Sequence, residues 1–166
     1  MEARRLGSGV IEGDVYLMLV RAASNAGHLE AAARYLDAFD VLGGATMSYS
    51  RIGVVIERAG LLHARGETER ARALMYEALL SLRVQEAPNE AWSLIGVLAH
   101  WGVAHDDPER NLLIELSAVT AYRRYGDPRA PSQAAAWRAA HPDLAAGTDT
   151  PLALEDALKM VLEGRL

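Results

Sequence analysis

Cysteine is absent from this 166-residue chain, and lysine and aromatic residues are scarce. Without cysteine the chain can form neither a disulfide framework nor a thiolate metal site. Aromatic residues make up 6% of the chain, with a single Phe, and alanine and leucine carry most of the apolar content. Strands favour β-branched and aromatic residues whereas Ala and Leu favour helices, so the composition indicates an all-α protein. Lys159 is the only lysine, a bias towards arginine that we attribute to a GC-rich bacterial genome.

Charge and motif content exclude further classes of protein. The 17 basic and 22 acidic residues give a net charge of −5, which argues against a nucleic-acid footprint. No apolar run reaches the length of a membrane span, and no signal-peptide core follows the first five residues. The chain also lacks a nucleophile elbow and carboxylates paired for acid–base work. We therefore expect a soluble, cytoplasmic, non-catalytic protein without a cofactor.

The chain is organised around the stretch Gly66 to Ala71, which reads as a tight turn between two helices. After this turn, apolar residues recur with the 3–4 residue spacing of one helical face, namely Ala71, Leu74, Met75, Ala78, Leu79 and Leu82. Similar turns start at Gly27 and Asp106, which are 39 residues before and 40 residues after Gly66. A helix–turn–helix unit recurring at that period is typical of a helical repeat array.

This period predicts three helical pairs followed by a C-terminal cap. The predicted helices span residues 10–26 and 29–42, 46–65 and 67–87, 91–104 and 108–125, and then 132–140 and 152–162. The glycines around Ser8 predict a break before the first helix, whose buried face we expect to contain Val15, Met18, Leu19, Ala22 and Ala26. We assign residues 1–131 to the repeats and 132–166 to capping helices of the same domain.

The three units resemble tetratricopeptide repeats in a variant of about 40 residues. The resemblance rests on small residues and turn glycines: Ala59 and Ala99 in the first helix, Gly27 and Gly66 at the turn, and Ala32 and Ala71 in the second helix. The third unit departs from the pattern, with Asp106 at the turn and Asn111 at the small position, and Val20 replaces the small residue of the first unit.

Three later segments, 107–110, 122–131 and 152–158, also resemble the C-terminal end of the repeat region in large bacterial ATP-dependent transcription regulators of the MalT-like and LuxR-type group. Such regulators combine an ATPase module, a repeat array and often a DNA-binding helix-turn-helix. This chain has neither a Gly-rich phosphate loop nor a basic recognition helix, so only the role of the array carries over. The resemblance therefore implies a non-catalytic interaction or sensor module in bacterial transcription regulation or signalling.

Two functions compete for the concave surface of such an array. The first is binding of a partner protein or peptide, and the alternative is binding of a small-molecule effector in the same groove. An effector pocket should be enclosed and contain aromatic side chains, whereas a peptide groove should be open and long. A structural oligomerisation element is a third, weaker possibility. Direct binding to nucleic acid or membrane is not expected.

Polar residues that interrupt the first helix of each pair are the candidates for the groove. Counting from the turns, they are Arg21, Ser24, Asn25, Glu57, His63, Ser93 and His100. Other chemically suggestive residues have structural explanations that we favour. The scattered histidines do not share a metal-binding face, and the acidic group at Asp106, Asp107 and Glu109 is placed to cap a helix. Trp92 and Trp101 are expected to pack in the core.

Overall fold

A computed structural model describes residues 2–43, 51–82, 87–124, 135–136, 138–140, 142 and 151–163, with side chains from Ile11 to Ala121 and beyond 134. Over these residues the secondary structure is helical and contains no strand. Seven helices have defined bounds: α1 (Glu2–Asn25), α2 (Leu29–Val41), α3 (Arg51–Ala64), α4 (Thr68–Ser81), α5 (Pro88–His100), α6 (Pro108–Arg124) and α7 (Leu154–Glu163). The prediction of an all-α protein is therefore confirmed.

Three of the predicted helices have wrong bounds. Helix α1 begins at Glu2 and continues through Gly7 and Gly9, where a break was expected. Helix α4 ends at Ser81, whereas we predicted that it would reach residue 87. Helix α5 spans Pro88–His100 and not residues 91–104, because Pro88 is accommodated in its first turn and the chain turns at Gly102. Part of the predicted helix 132–140 is described and is helical, and its first three residues lie outside the described residues.

Glycines in the left-handed conformation end the first helix of each pair. Gly27, Gly66 and Gly102 have φ values of 76°, 79° and 74°. At each turn the glycine N–H donates to the carbonyl three residues back, and the next N–H donates to the carbonyl five residues before it, at 2.9–3.0 Å. This is the Schellman arrangement, which satisfies carbonyls that have no partner within the helix. The first two turns have the predicted positions.

The third turn differs from the prediction. We expected it at Asp106, but the residue that ends α5 in the left-handed conformation is Gly102. Three residues separate the helices at each of the first two turns, but seven separate α5 from α6. Asn111 secures the extra residues, since its Oδ1 accepts hydrogen bonds from the N–H groups of Ala104 (3.0 Å) and His105 (3.3 Å). Its Nδ2 donates to the Ala99 carbonyl at 2.7 Å. The third unit therefore has Asn111 where the other units have alanine because this side chain bonds to the backbone of the longer turn.

The chain divides into two compact units, residues 1–80 and 81–166. In the first unit α1 packs against α2, and α3 packs against both of them. Its core is built from fully or nearly fully buried side chains, including Leu17, Val20, Ala32, Phe39, Ala59, Ala71, Met75 and Tyr76. The small residues Ala32, Ala59 and Ala71 are each 0% exposed, as expected for positions where helices approach closely.

In the second unit α5 packs against α6, and α7 packs against both helices. Trp92 and Ala99 of α5 are buried with Ile114 and Leu116 of α6, and α7 contributes Ala157 and Val161 to the core of this unit. The segment before α7 is held by the buried Ser117, whose Oγ accepts a hydrogen bond from the Leu152 N–H at 2.9 Å.

The face of α1 that we expected to be buried is exposed. Val15, Met18, Leu19, Ala22 and Ala26 all lie on the solvent side. The buried face carries Leu17, Val20 and Ala23. Both faces of α1 are apolar, so its periodicity could not identify the one that α2 and α3 cover. No helix in the described ranges is long and apolar enough to cross a membrane.

Candidate functional site

The predicted groove residues lie on the first helix of each pair. Arg21, Ser24 and Asn25 are on α1, Glu57 and His63 are on α3, and Ser93 and His100 are on α5. The first five belong to the first unit and the last two to the second. The structure brings one pair of the predicted residues into direct contact.

That pair is Arg21 and Glu57, which link α1 to α3. Arg21 Nε donates to Glu57 Oε1 at 2.7 Å, and Arg21 Nη2 donates to the same oxygen. The Glu57 side chain is 9% exposed, whereas that of Arg21 is 56% exposed. Burial raises the pKa of the Glu57 carboxyl, and the hydrogen bonds and charge of Arg21 lower it by less, so the pKa lies above its ordinary value.

The other predicted residues on α1 differ from each other in their surroundings. Among the described residues, Ser24 Oγ is the one buried side-chain nitrogen or oxygen without a hydrogen-bond partner. Asn25, the last residue of α1, is exposed.

The remaining predicted residues form intramolecular hydrogen bonds. His63 Nδ1 lies 3.3 Å from Thr68 Oγ1 across the turn between α3 and α4. Ser93 Oγ donates to the Asn89 carbonyl at 2.9 Å, and His100 Nδ1 lies 3.1 Å from Glu115 Oε1. These contacts account for polar residues on apolar helices without a bound partner. Their polarity is therefore weak support for a binding role.

A cleft that sequence analysis did not predict lies between α2, α3 and α4 of the first unit. It is open and has a volume of about 580 Å³. Its lining combines aliphatic and charged side chains: Ala33, Leu36, Asp37, Arg58, Leu61, Leu62, Arg65, Arg70, Ala73, Leu74 and Glu77. None of the predicted groove residues belongs to this set. A usable signal was present at the end of α3 and just beyond it, where Arg58, Leu61, Leu62 and Arg65 have the spacing of one helical face.

The three arginines of this cleft have different ionic surroundings. Arg58 forms an ion pair with Asp40, and Arg70 forms one with Glu67. Arg65 is exposed, and its side chain has no ion pair or hydrogen bond with any described residue. The cleft therefore offers an accessible guanidinium beside an aliphatic floor that includes Leu61, which is 4% exposed.

Asp107, from the acidic group at the start of α6, caps that helix. Asp107 Oδ1 accepts hydrogen bonds from the N–H groups of Glu109 (2.9 Å) and Arg110 (3.4 Å). Within the part of the chain that the structure describes, no cluster of three or more His, Asp or Glu side chains could hold a metal ion. Asp107 thus caps α6, as predicted for one member of this acidic group.

Comparison of the chain with protein-family models, curated proteins and solved structures finds no match.

Proposed function

We propose that this chain is a non-catalytic interaction module of a bacterial regulatory protein, built as a tetratricopeptide-like repeat array. The local geometry supports a repeat: α2, α4 and α6 begin 39 and 40 residues apart, and each follows a turn with the same glycine conformation. Five residues after Gly27 and five residues after Gly66 the chain has a fully buried alanine, Ala32 and Ala71 respectively. Assignment to the MalT-like and LuxR-type regulators remains part of this proposal.

The observation that carries the proposal is the cleft between α2, α3 and α4. Its floor of leucine side chains suits aliphatic groups, because their burial removes apolar surface from water. Arg65 supplies an accessible guanidinium that can bind a carboxylate through two parallel hydrogen bonds. The occupant that fits is a peptide segment carrying aliphatic side chains and at least one acidic residue.

A small-molecule effector is the competing occupant. Enclosed, aromatic-lined pockets are typical of such ligands, whereas this cleft is open and contains no aromatic side chain in its lining. The openness of the cleft and its lack of aromatic residues both favour a peptide segment of a partner protein. Neither property involves the residues that were predicted on α1, α3 and α5.

The test starts from peptides selected on the full-length protein from a random display library. Their affinity is then measured by fluorescence anisotropy for the wild type, Arg65→Glu and Leu74→Ser. We expect both variants to bind at least about tenfold more weakly, a loss of roughly 1.4 kcal/mol. Arg51→Glu and Leu80→Ser are the controls, since Arg51 is an exposed arginine of α3, Leu80 is an exposed leucine of α4, and neither lines the cleft.

Two further variants test the residues that the sequence predicted. Weaker binding by Asn25→Ala and His100→Ala, with Arg65→Glu unchanged, would assign the peptides to the first-helix surface. Equal binding by all these variants, or a selection that yields no specific peptide, would contradict the proposed interaction role of the cleft.

A further inference from the structure

Helix α1 carries an apolar stripe that the described part of the chain leaves uncovered. Ile11, Val15, Met18 and Leu19 are 59%, 49%, 63% and 37% exposed, and Ala22 beside them is also exposed. Their spacing places them on one face of the helix. The other large exposed hydrophobic residues in the described ranges, Val41 and Leu80, lie on different helices. A contiguous apolar face of this kind marks an interaction surface.

One edge of this stripe carries an acidic and a basic residue. Asp14 and Arg21 are seven residues apart, which places them about 20° apart around the helix and on the same edge of the stripe. Glu12 borders the opposite edge, on the same side of the helix as Leu19, which lies two turns further along. Along the helix, the midpoint between Asp14 and Arg21 falls beside Met18, which lies at the edge of the stripe nearest to these two charges.

We propose that the occupant of this stripe is α1 of a second copy of the chain, packed antiparallel around a two-fold axis beside Met18. Such an axis makes the two helices run in opposite directions. It also places the edge that carries Asp14 and Arg21 on the same side of the pair in both copies. Asp14 of each copy then lies opposite Arg21 of the other, and this pairing occurs twice because the interface is isologous. Met18 of one copy contacts Met18 of the second copy.

The charge pattern selects this orientation over a parallel one. A parallel two-fold pair would place Asp14 of one copy beside Glu12 of the other, and like charges in contact weaken association. Arg21 can keep its hydrogen bonds to Glu57 in the antiparallel dimer, because a guanidinium has five N–H donors and can bridge two carboxylates.

The size of the contact predicts a weak, reversible dimer. Two copies centred on this axis overlap along about 16 residues of α1, roughly 24 Å of helix. A stable dimer usually buries roughly 800 Å² on each partner, which is more than a single helix pair of this length supplies. Association in the micromolar range is therefore expected.

Sedimentation velocity of the full chain over low to high micromolar concentrations tests the dimer. The wild type should shift towards twice the mass of the 18.0 kDa chain as concentration rises. Met18→Glu places two carboxylates at the axis and should weaken the dimer at least about tenfold. Leu80→Glu, which adds the same charge at an exposed apolar residue of α4, should leave it unchanged. A wild type that stays monomeric throughout, or equal losses from both variants, would overturn the proposal.

Engineered cysteines test the orientation, and the chain has no native cysteine to interfere. Met18→Cys should form a disulfide-linked dimer under mild oxidation, because the two positions meet at the axis. Ile11→Cys should not, since its two positions are separated by about 13 residues of helix, roughly 20 Å. Efficient cross-linking by both variants would indicate a parallel pair and refute the antiparallel dimer. This result would not bear on the cleft between α2, α3 and α4, which contains none of these residues.

Discussion

Glu57 illustrates how the surroundings of one side chain change its chemistry. The sequence suggested an accessible acidic residue in a groove, but the carboxyl is buried at the contact between α1 and α3 and is bonded to Arg21. Burial disfavours its ionised form by more than Arg21 favours it, so its pKa is raised. The contribution of Glu57 to the stability of the folded protein therefore depends on pH.

The first prediction concerns that dependence. A carboxyl whose pKa is higher in the folded than in the unfolded state contributes stability that is fully present below about pH 4.5, its ordinary value. This contribution is lost as the pH rises through the pKa of the folded state. The free energy of unfolding of the wild type relative to Glu57→Gln should thus be larger near pH 4 than near pH 8, as measured by urea unfolding. A relative stability that grows with pH would contradict the assigned direction.

The second prediction concerns Asn111, which is 5% exposed and forms three hydrogen bonds to the backbone around the third turn. Asn111→Ala should lower the free energy of unfolding by about 2–4 kcal/mol, because it leaves buried backbone groups without partners. Asn89→Ala, a change at an exposed asparagine of α5, is the control and should have little effect. Urea unfolding of both variants makes the comparison, and equal losses would mean that Asn111 does not secure this turn.

At the level of helices and turns, the glycine positions were predictable because backbone conformation is a local property. A residue ending a helix in the left-handed conformation is favoured to be glycine whatever the rest of the fold. Gly27 and Gly66 were identified correctly on this basis. The third turn was misplaced because the 40-residue spacing was measured to Asp106, whereas a longer connection moves the glycine to Gly102.

The third prediction compares two glycines of the α3–α4 region. Gly66→Ala should destabilise the protein by about 1–2 kcal/mol, because φ is +79° and an L side chain is strained there even with open space around it. Gly60→Ala should stabilise it by about 0.5–1 kcal/mol, since Gly60 is within α3 and an added Cβ meets nothing within 4 Å. Thermal and urea unfolding report both changes. Effects of the same sign would refute the assigned turn geometry.

For the whole molecule, composition was sufficient to predict the fold class, and the described residues are helical. The fourth prediction is that far-UV circular dichroism of the full chain shows a dominantly helical spectrum without a sheet contribution. The reason is that no stretch of the sequence shows the alternating pattern of a half-buried strand. A substantial sheet signal in the native protein would contradict this prediction.

Properties that depend on neighbouring residues along the chain could be derived from the sequence: helix type, most helix boundaries, two of the turn glycines and the buried alanines Ala32 and Ala71. Which face of α1 is buried, which polar residues are paired and where the cleft lies could not. Both faces of α1 are apolar, so burial of Leu17 and exposure of Met18 depend on how α2 and α3 pack. In the same way Arg21 meets Glu57, 36 residues away, only because α1 and α3 are in contact. Periodicity describes one helix at a time, and the packing of several helices decides which of its surfaces remain available for binding.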